Sequence, residues 1–195
     1  MLEKISKTKQ QLIDVARELF GSTGKTNVTM NEIAEASNKG RRTLYTYFKN
    51  KDEVYRAVVE NELKLVIESL KANAKQDVDS YTKLKGHILT HLDSVKETVT
   101  RNGTLRADFF RDIYEVERSR RKMDIIELGL IKDILREGIS KREFINLDVE
   151  AISVIILYSL KGLEIPYIRE SFSTEFEENK NKILDFIFSG MKQPL

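Results

Sequence analysis

Apolar residues recur at helical spacing along almost the whole chain. The first stripe follows the i, i+3/i+4, i+7 pattern of an amphipathic helix, at Leu12, Ile13, Ala16, Leu19 and Phe20. Gly21 and Gly24 then predict the end of this helix, because glycine is favoured just past a helix C-terminus. Only two prolines, Pro166 and Pro194, interrupt the chain, and glycine is sparse. Few turn signals and helical spacing together predict an all-α protein.

Two short helices and a tight turn are predicted next. Thr29 and Glu32 form a T-x-x-E capping box, which predicts that a short helix begins after Thr29. Asn38 is suited to a turn because asparagine tolerates positive φ better than most residues. Gly40 follows and opens a second short helix that runs towards Phe48.

Longer helices follow. Asn50 and Glu53 form a second capping box, and the apolar side of the helix that they open comprises Val54, Val58, Val59, Leu63, Val66, Ile67 and Leu70. A polar stretch from about 73 to 81 indicates a connection between two regions of the chain. Beyond it the spacing predicts helices near 80–101, 105–140 (with room for one break), 147–165 and 174–190. Thr174 and Glu177 offer a capping box for the last one.

Positive charge is concentrated around the second short helix. No carboxylate lies between Asn38 and Lys51, and the segment carries Lys39, Arg41, Arg42, Lys49 and Lys51. The net charge of the chain is only +2, from 33 basic and 31 acidic residues, so any nucleic-acid site must be local. A compact basic helix-turn-helix is a common way for a small protein to enter the major groove of DNA. The alternative is that the basic run is an ordinary solvated helix face.

Composition excludes several classes of protein. The chain has no cysteine, which excludes disulfides and thiolate metal sites and suits a reducing compartment. The N-terminus lacks the apolar core of a signal peptide. The longest strongly apolar run, 151–160, is about half of what a membrane-spanning helix needs. We therefore expect a soluble cytoplasmic protein with no membrane partner.

Residues 6–66 resemble the N-terminal domain of the TetR family of bacterial transcriptional regulators. The matching positions are Ala16, Leu19, Phe20, Gly24, Thr29, Ile33, Ala34, Ala36 and the run TLYTYFKNKDEVY from Thr43 to Tyr55. The resemblance implies about nine helices: a helix-turn-helix DNA-binding domain over 1–50 and a larger helical domain for effector binding and dimerisation over 51–195. One departure is the turn, where Ser37, Asn38, Lys39 and Gly40 replace the family's usual small residue, glycine, apolar residue and serine.

Several side chains are predicted to contact double-stranded DNA. Arg41 and Arg42 could bind guanine O6 and N7 or clamp phosphate, and threonine can contact phosphate or a thymine methyl group. The tyrosines resemble family positions that contact the DNA backbone, and Lys51 lies in the first turn of the next helix, where phosphate is favoured. The full predicted set is Thr29, Lys39, Gly40, Arg41, Arg42, Thr43, Tyr45, Thr46, Tyr47 and Lys51.

The last two helices are predicted to pair with a second copy of the chain. Both are apolar on more than one side, which implies burial against several partners, and in the family the last two helices form a four-helix bundle between subunits. The predicted homodimer contacts are Ile155, Ile156, Leu160, Ile183, Phe186 and Ile187. The alternative is that both helices belong to the core of one subunit.

The family resemblance also implies a small-molecule effector, and no other cofactor is expected. Candidate lining residues combine apolar bulk with polar tips: His91, Leu92, Val95, Phe109, Phe110, Tyr114 and Tyr158. The alternative for each of them is that it belongs to the ordinary core. His87 and His91 fall at i, i+4, a spacing that can hold a metal ion. The segment lacks the glutamate of a zinc-protease motif and indicates no third ligand, so no metal site is predicted.

These features predict a dimeric, ligand-responsive transcriptional regulator, most simply a repressor. An enzyme on a helical scaffold is disfavoured, because no phosphate-binding glycine loop or nucleophile elbow is present. A helical protein–protein interaction module is the second alternative. It would bind another protein and would show no salt-dependent affinity for duplex DNA.

Overall fold

The computed structural model describes residues 6–101, 113–168 and 174–193. Eight α-helices occur in these ranges: α1 (Lys7–Thr23), α2 (Met30–Ala36), α3 (Arg41–Tyr47), α4 (Lys51–Ala74), α5 (Ser80–Arg101), α6 (Ile113–Ser140), α7 (Val149–Ile168) and α8 (Thr174–Phe188). The described residues form no β-sheet and only one isolated bridge, between Phe144 and Lys192. The prediction of an all-α fold is therefore confirmed.

The chain divides into two compact units. The first comprises Met1–Lys64 and Thr98–Arg121, and the second comprises Leu65–Glu97 and Lys122–Leu195. Helix α4 begins in the first unit and ends in the second, and α5 begins in the second and ends in the first.

Helices α1, α2 and α3 form the helix-turn-helix part of the first unit. The Ser6 hydroxyl caps α1 by accepting a hydrogen bond from the Lys9 amide at 3.2 Å. The helix ends at Gly24, whose φ of 84° is accessible to glycine at no steric cost. Helix α2 packs against both α1 and α3. The buried residues include Leu12, Ile13, Ala16 and Phe20 from α1, Ile33 and Ala34 from α2, and Leu44 from α3.

The turn between α2 and α3 forms as the sequence predicts. The capping box is complete, since the Glu32 amide donates to Thr29 Oγ1 at 3.2 Å and the Thr29 amide donates to Glu32 Oε2 at 2.7 Å. Asn38 adopts φ 52°, the left-handed conformation expected of a turn residue. Beyond α3, Asn50 Oδ1 accepts from the Glu53 amide at 2.9 Å and thereby caps α4.

Two close approaches fix the helices of the second unit. A Cβ added to Gly86 of α5 would lie 2.3 Å from Asn73 Oδ1, and the Asn73 amide donates to the Lys83 carbonyl at 2.9 Å. A Cβ added to Gly138 of α6 would lie 2.1 Å from the Phe144 ring. The core cluster of this unit comprises Tyr81, Leu84, Ile88, Leu92, Ile131, Ile134, Leu135, Phe144, Ile156, Leu157, Leu160, Tyr167, Leu184 and Phe188.

Helix α7 is long and apolar enough to cross a membrane if length and composition alone are considered. A core helix passes the same test, and α7 carries a buried Glu164 together with buried Ile156, Leu157 and Leu160. Pro166 lies inside the helix, which extends to Ile168 rather than ending near 165. Its apolar character is thus accounted for in part by the core of the second unit.

Candidate nucleic-acid interface and a buried polar network

Helix α3 has one buried face and one exposed basic face. Leu44 and Phe48 lie four residues apart and are both buried, so they anchor the helix to the first unit. The exposed positions on this helix and just after it are Arg41, Arg42, Tyr45, Thr46 and Lys49. A helix of this kind presents guanidinium and ammonium groups to solvent on the side opposite its anchor, which is the arrangement needed to meet a polyanion.

The turn residues lie beside this face. Gly40 is exposed, while Lys39 and Thr43 are half-buried. Gly40 is the N-cap of α3 at φ −66° and ψ 147°, and no side chain caps the helix there. A Cβ at this position would meet no atom within 4 Å beyond its chain neighbours.

Several predicted contact residues use their hydroxyl groups within the protein. Thr29 Oγ1 donates to Glu32 Oε2 at 2.8 Å, so its proton is engaged in the capping box. Thr46 Oγ1 donates to the Arg42 carbonyl at 2.9 Å. Tyr47 is half-buried and its hydroxyl accepts from Ser6 Oγ at 3.2 Å, whereas Tyr45 is exposed. Tyr45 and Tyr47 therefore face different sides of α3, as their spacing predicts.

Lys51 holds the loop in front of α2. Its ammonium group donates to the Val28 carbonyl at 2.8 Å and to the Thr26 carbonyl at 3.2 Å. A lysine ammonium has three donors, so one remains for a phosphate. The structure thus gives Lys51 a positioning role, which links the start of α4 to the residues preceding Thr29, in addition to the phosphate contact that its sequence position predicts.

The second unit contains a buried network of two histidines and two glutamates. His87 and His91 of α5 both bond Glu127 of α6, with Oε1 lying 3.2 Å from His87 Nε2 and 2.6 Å from His91 Nδ1. His91 Nε2 lies 3.1 Å from Glu164 Oε1 of α7. All four residues are buried. The helical spacing of the histidines was visible in the sequence, but Glu127 and Glu164 lie 36 and 73 residues from His91 and carried no local signal.

Hydrogen bonding sets the charge states in this network. Burial alone would lower the pKa of His91, but its bonds to Glu127 and Glu164 outweigh burial and raise the pKa to about 9. Burial would raise the pKa of Glu127, but bonds from His87 and His91 outweigh it and lower the pKa to about 2. His91 is therefore an imidazolium at neutral pH that donates from both ring nitrogens, and Glu127 is a carboxylate.

The other predicted effector contacts fall into three groups. Leu92 and Val95 are buried on α5 close in sequence to His91. Tyr158 is 67% exposed, because α7 turns the Leu157 and Leu160 side of the helix inward and Tyr158 outward, and its contact with an effector stays a prediction. Phe109 and Phe110 lie outside the described residues, as does the side chain of Tyr114.

The predicted dimer contacts also separate by burial. Ile155, Phe186 and Ile187 are exposed, and Ile183 is half-buried. Ile156 and Leu160 are buried in the core cluster of the second unit, and their place at a subunit interface stays a prediction. Their burial reflects helical geometry, because residues four apart share a face and that face of α7 is directed at the core.

The described first unit defines a helix-turn-helix protein of the DNA-binding class. The sequence model of "Bacterial regulatory proteins, tetR family" matches residues 12–58, which span α1 to the first turns of α4. Over these residues the chain is similar to the DNA-binding domain of this family.

Relatives match over nearly the full length. The biofilm operon icaADBC negative transcriptional regulator IcaR of Staphylococcus epidermidis is 27% identical over 191 residues, covering 93% of this chain and 95% of that protein. A transcriptional regulator from Cytophaga hutchinsonii has a TM-score of 0.76 at 19% identity, covering 96% of this chain and all of that one. FadR of Bacillus subtilis, solved in complex with stearoyl-CoA, has a TM-score of 0.68 at 20% identity, covering 93% and 98%. The similar structures show that the fold is shared.

Proposed function

We propose that this chain is a dimeric transcriptional repressor that binds a two-fold symmetric DNA operator and is released from it by a small-molecule effector. The observation that carries the proposal is the exposed basic face of α3, with Arg41 and Arg42 at its first turn and Leu44 and Phe48 buried behind it. A helix anchored on one side and cationic on the other is suited to the major groove.

Dimerisation is part of the proposal for two reasons. A single seven-residue recognition helix reads few base pairs, whereas two subunits read half-sites about one helical turn apart. The exposed apolar side chains of α7 and α8, including Ile155, Phe186 and Ile187, provide a surface that a second copy would cover. Repressor polarity is supported by the relative IcaR, which is named as a negative regulator.

Release by an effector requires thermodynamic linkage between the effector site and the DNA-binding face of α3. An effector shifts the protein towards the state to which it binds more tightly, and this must be the state that fits the operator less well. The relative FadR was solved with a small-molecule ligand, which supports an effector for this chain as well. We assign no catalytic step to the chain, and we expect it in the cytoplasm together with the DNA that it binds.

The basic face is tested by fluorescence anisotropy with a generic duplex at two salt concentrations. Arg41→Ala combined with Arg42→Ala removes two exposed cations, so the affinity should fall and the slope of log K against log salt should flatten by about one to two. Lys75→Ala is the matched control, since Lys75 is an exposed cation of the second unit. Equal affinities and slopes for all three proteins would contradict the proposal and favour a protein–protein interaction module.

A further inference from the structure

The His87–Glu127–His91–Glu164 network has two buried atoms that make no hydrogen bond within the described part of the chain. They are His87 Nδ1 and Glu127 Oε2. The carboxyl group of Glu127 thus places one oxygen, Oε1, between the two histidines and leaves the other without a partner. A buried polar atom without a partner costs roughly 1–3 kcal/mol, so a native fold retains one where something else bonds it or where function requires it.

Both atoms are hydrogen-bond acceptors. Glu127 is ionised, so Oε2 can only accept. His87 Nε2 lies 3.2 Å from Oε1 of the same carboxylate, and in the tautomer that donates from Nε2 the unpartnered Nδ1 is an acceptor as well. The complementary group is therefore one that donates hydrogen bonds. A positively charged donor fits best, because hydrogen bonds between a cation and a carboxylate are about twice as strong as neutral ones.

Buried apolar side chains lie one helical turn from Glu127 on both sides. Met123 precedes Glu127 by four residues and Ile131 follows it by four, and both are buried. The corresponding neighbours of His87 are Lys83 and His91, which are buried and polar. A ligand that reaches Glu127 Oε2 must therefore tolerate apolar contact around its charged group. This combination is met by an organic amine or amidine with an apolar body, and not by a strongly hydrated inorganic cation.

We propose that the network is the recognition site for the effector, and that the effector is an organic cation whose protonated nitrogen donates N–H groups to Glu127 Oε2 and His87 Nδ1. The inference rests on the proposed function, because it names the chemical class of the ligand that releases the operator. His91 orients Glu127 by holding Oε1, and Glu164 holds His91 from the other side.

A metal ion is a poorer fit for the same residues. Among the described residues, no group of three or more His, Asp or Glu side chains is arranged to hold a metal. Both ring nitrogens of His91 face carboxylate oxygens, so neither has a free lone pair to give to a metal. The two unpartnered atoms, His87 Nδ1 and Glu127 Oε2, are better suited to hydrogen-bond donors.

The two histidines of the network are the only histidines in the chain, which makes a direct test available. The full-length protein is labelled with ¹⁵N-histidine and titrated separately with n-hexylammonium chloride and with 1-hexanol. The expected result is a saturable shift of the His87 Nδ1 resonance with n-hexylammonium, in the direction of a hydrogen-bonded acceptor, and no comparable shift with hexanol. Equal responses to both probes, or no response to either, would overturn the proposal.

Variants give a second readout by calorimetry. Glu127→Gln removes the charge while keeping the shape, and should weaken n-hexylammonium binding about tenfold or more. Glu150→Gln is the matched control, since Glu150 is an exposed glutamate of the same unit that pairs with Lys132 and Arg136. If Glu127→Gln does not fold, the wild-type titration still decides. Saturable shifts of both histidines with Zn²⁺ alone, and none with n-hexylammonium, would instead identify a metal site and overturn the proposal.

Failure of this inference is distinguishable from failure of the proposed function. Operator binding is measured in parallel on the same wild-type protein. Specific DNA binding with no n-hexylammonium binding would leave the repressor intact and reject the cationic effector. Loss of both would reject the repressor itself.

Discussion

At the scale of single residues, exposure and hydrogen bonding divide the predicted DNA contacts into exposed side chains and side chains bonded within the protein. Arg41 and Arg42 are exposed, whereas Thr29, Tyr47 and Lys51 bond other parts of the first unit. Base-reading side chains should alter sequence preference, while positioning side chains should alter stability and affinity together.

Arg42→Ala should weaken specific operator binding by about 1–3 kcal/mol if its guanidinium reads a base edge. Affinity for random duplex should fall much less, because the substitution removes only one positive charge that can interact with the DNA phosphates. The measurement is a pair of titrations on operator and random DNA at one salt concentration. Equal losses on both duplexes would remove Arg42 from base reading.

Lys51→Met should lower the thermal stability of the protein. The substitution keeps the apolar stem but leaves the carbonyls of Thr26 and Val28 without their donor, at a cost of about 1–2 kcal/mol. Circular dichroism melts compare this variant with Lys49→Met, whose side chain is exposed. An unchanged melt for Lys51→Met would show that the loop does not depend on this contact.

The His91–Glu127 pair should make the stability of the second unit depend on pH. The pKa of His91 is raised from 6.5 to about 9, so its contribution is full below pH 6.5 and is lost as pH rises towards 9. The pKa of Glu127 is lowered from 4.5 to about 2, so its contribution is full above pH 4.5 and is lost as pH falls towards 2. The shared contribution is on the order of 3 kcal/mol.

Urea unfolding across this pH range measures the effect. The free energy of unfolding should be highest between about pH 4.5 and 6.5 and should decline on both sides, with the alkaline decline reduced in His91→Gln. A wild-type profile that stays level from pH 6.5 to 9 would contradict the assigned charge of His91.

At the scale of helices, most boundaries could be predicted from the sequence, because local chemistry determines them. The capping box at Thr29, the left-handed Asn38 and the joint between α4 and α5 all depend on residues within a few positions of one another. The network of His91 with Glu127 and Glu164 could not be predicted, since it joins three helices through tertiary packing. Burial of Ile156 and Leu160 required the same long-range information.

Gly138→Ala tests the approach of the 141–144 loop to α6. The added methyl group would lie 2.1 Å from the buried Phe144 ring, so we expect a loss of about 1–3 kcal/mol. Gly129→Ala is the control on the same helix, where a Cβ meets no atom within 4 Å and alanine should gain up to about 1 kcal/mol. Similar changes in the free energy of unfolding for both variants would show that the Phe144 ring moves away from the added methyl group without destabilising the protein.

At the scale of the whole molecule, the proposed repressor needs two copies of the chain. Phe186 is 82% exposed on α8, which is unusual for a large aromatic side chain unless another surface covers it. A charge at this position would be buried by dimerisation and would therefore oppose it.

Phe186→Glu should shift the protein to monomers and reduce operator affinity, while Ile125→Glu should leave the dimer intact. Ile125 is a comparable control because it is 73% exposed but lies on α6 and not on the proposed interface. Sedimentation velocity measures the oligomeric state of both variants. Dimers that persist in Phe186→Glu would place the interface elsewhere.

Sequence-specific binding to DNA is tested most directly by selecting the purified wild-type protein against random duplex DNA. We expect the wild-type protein to enrich a two-fold symmetric site whose affinity falls steeply with salt, and the protein carrying both Arg41→Ala and Arg42→Ala to lose this enrichment. If the wild-type protein enriches no sequence in the absence of any added small molecule, or if the double variant enriches the same site equally well, then α3 does not read an operator.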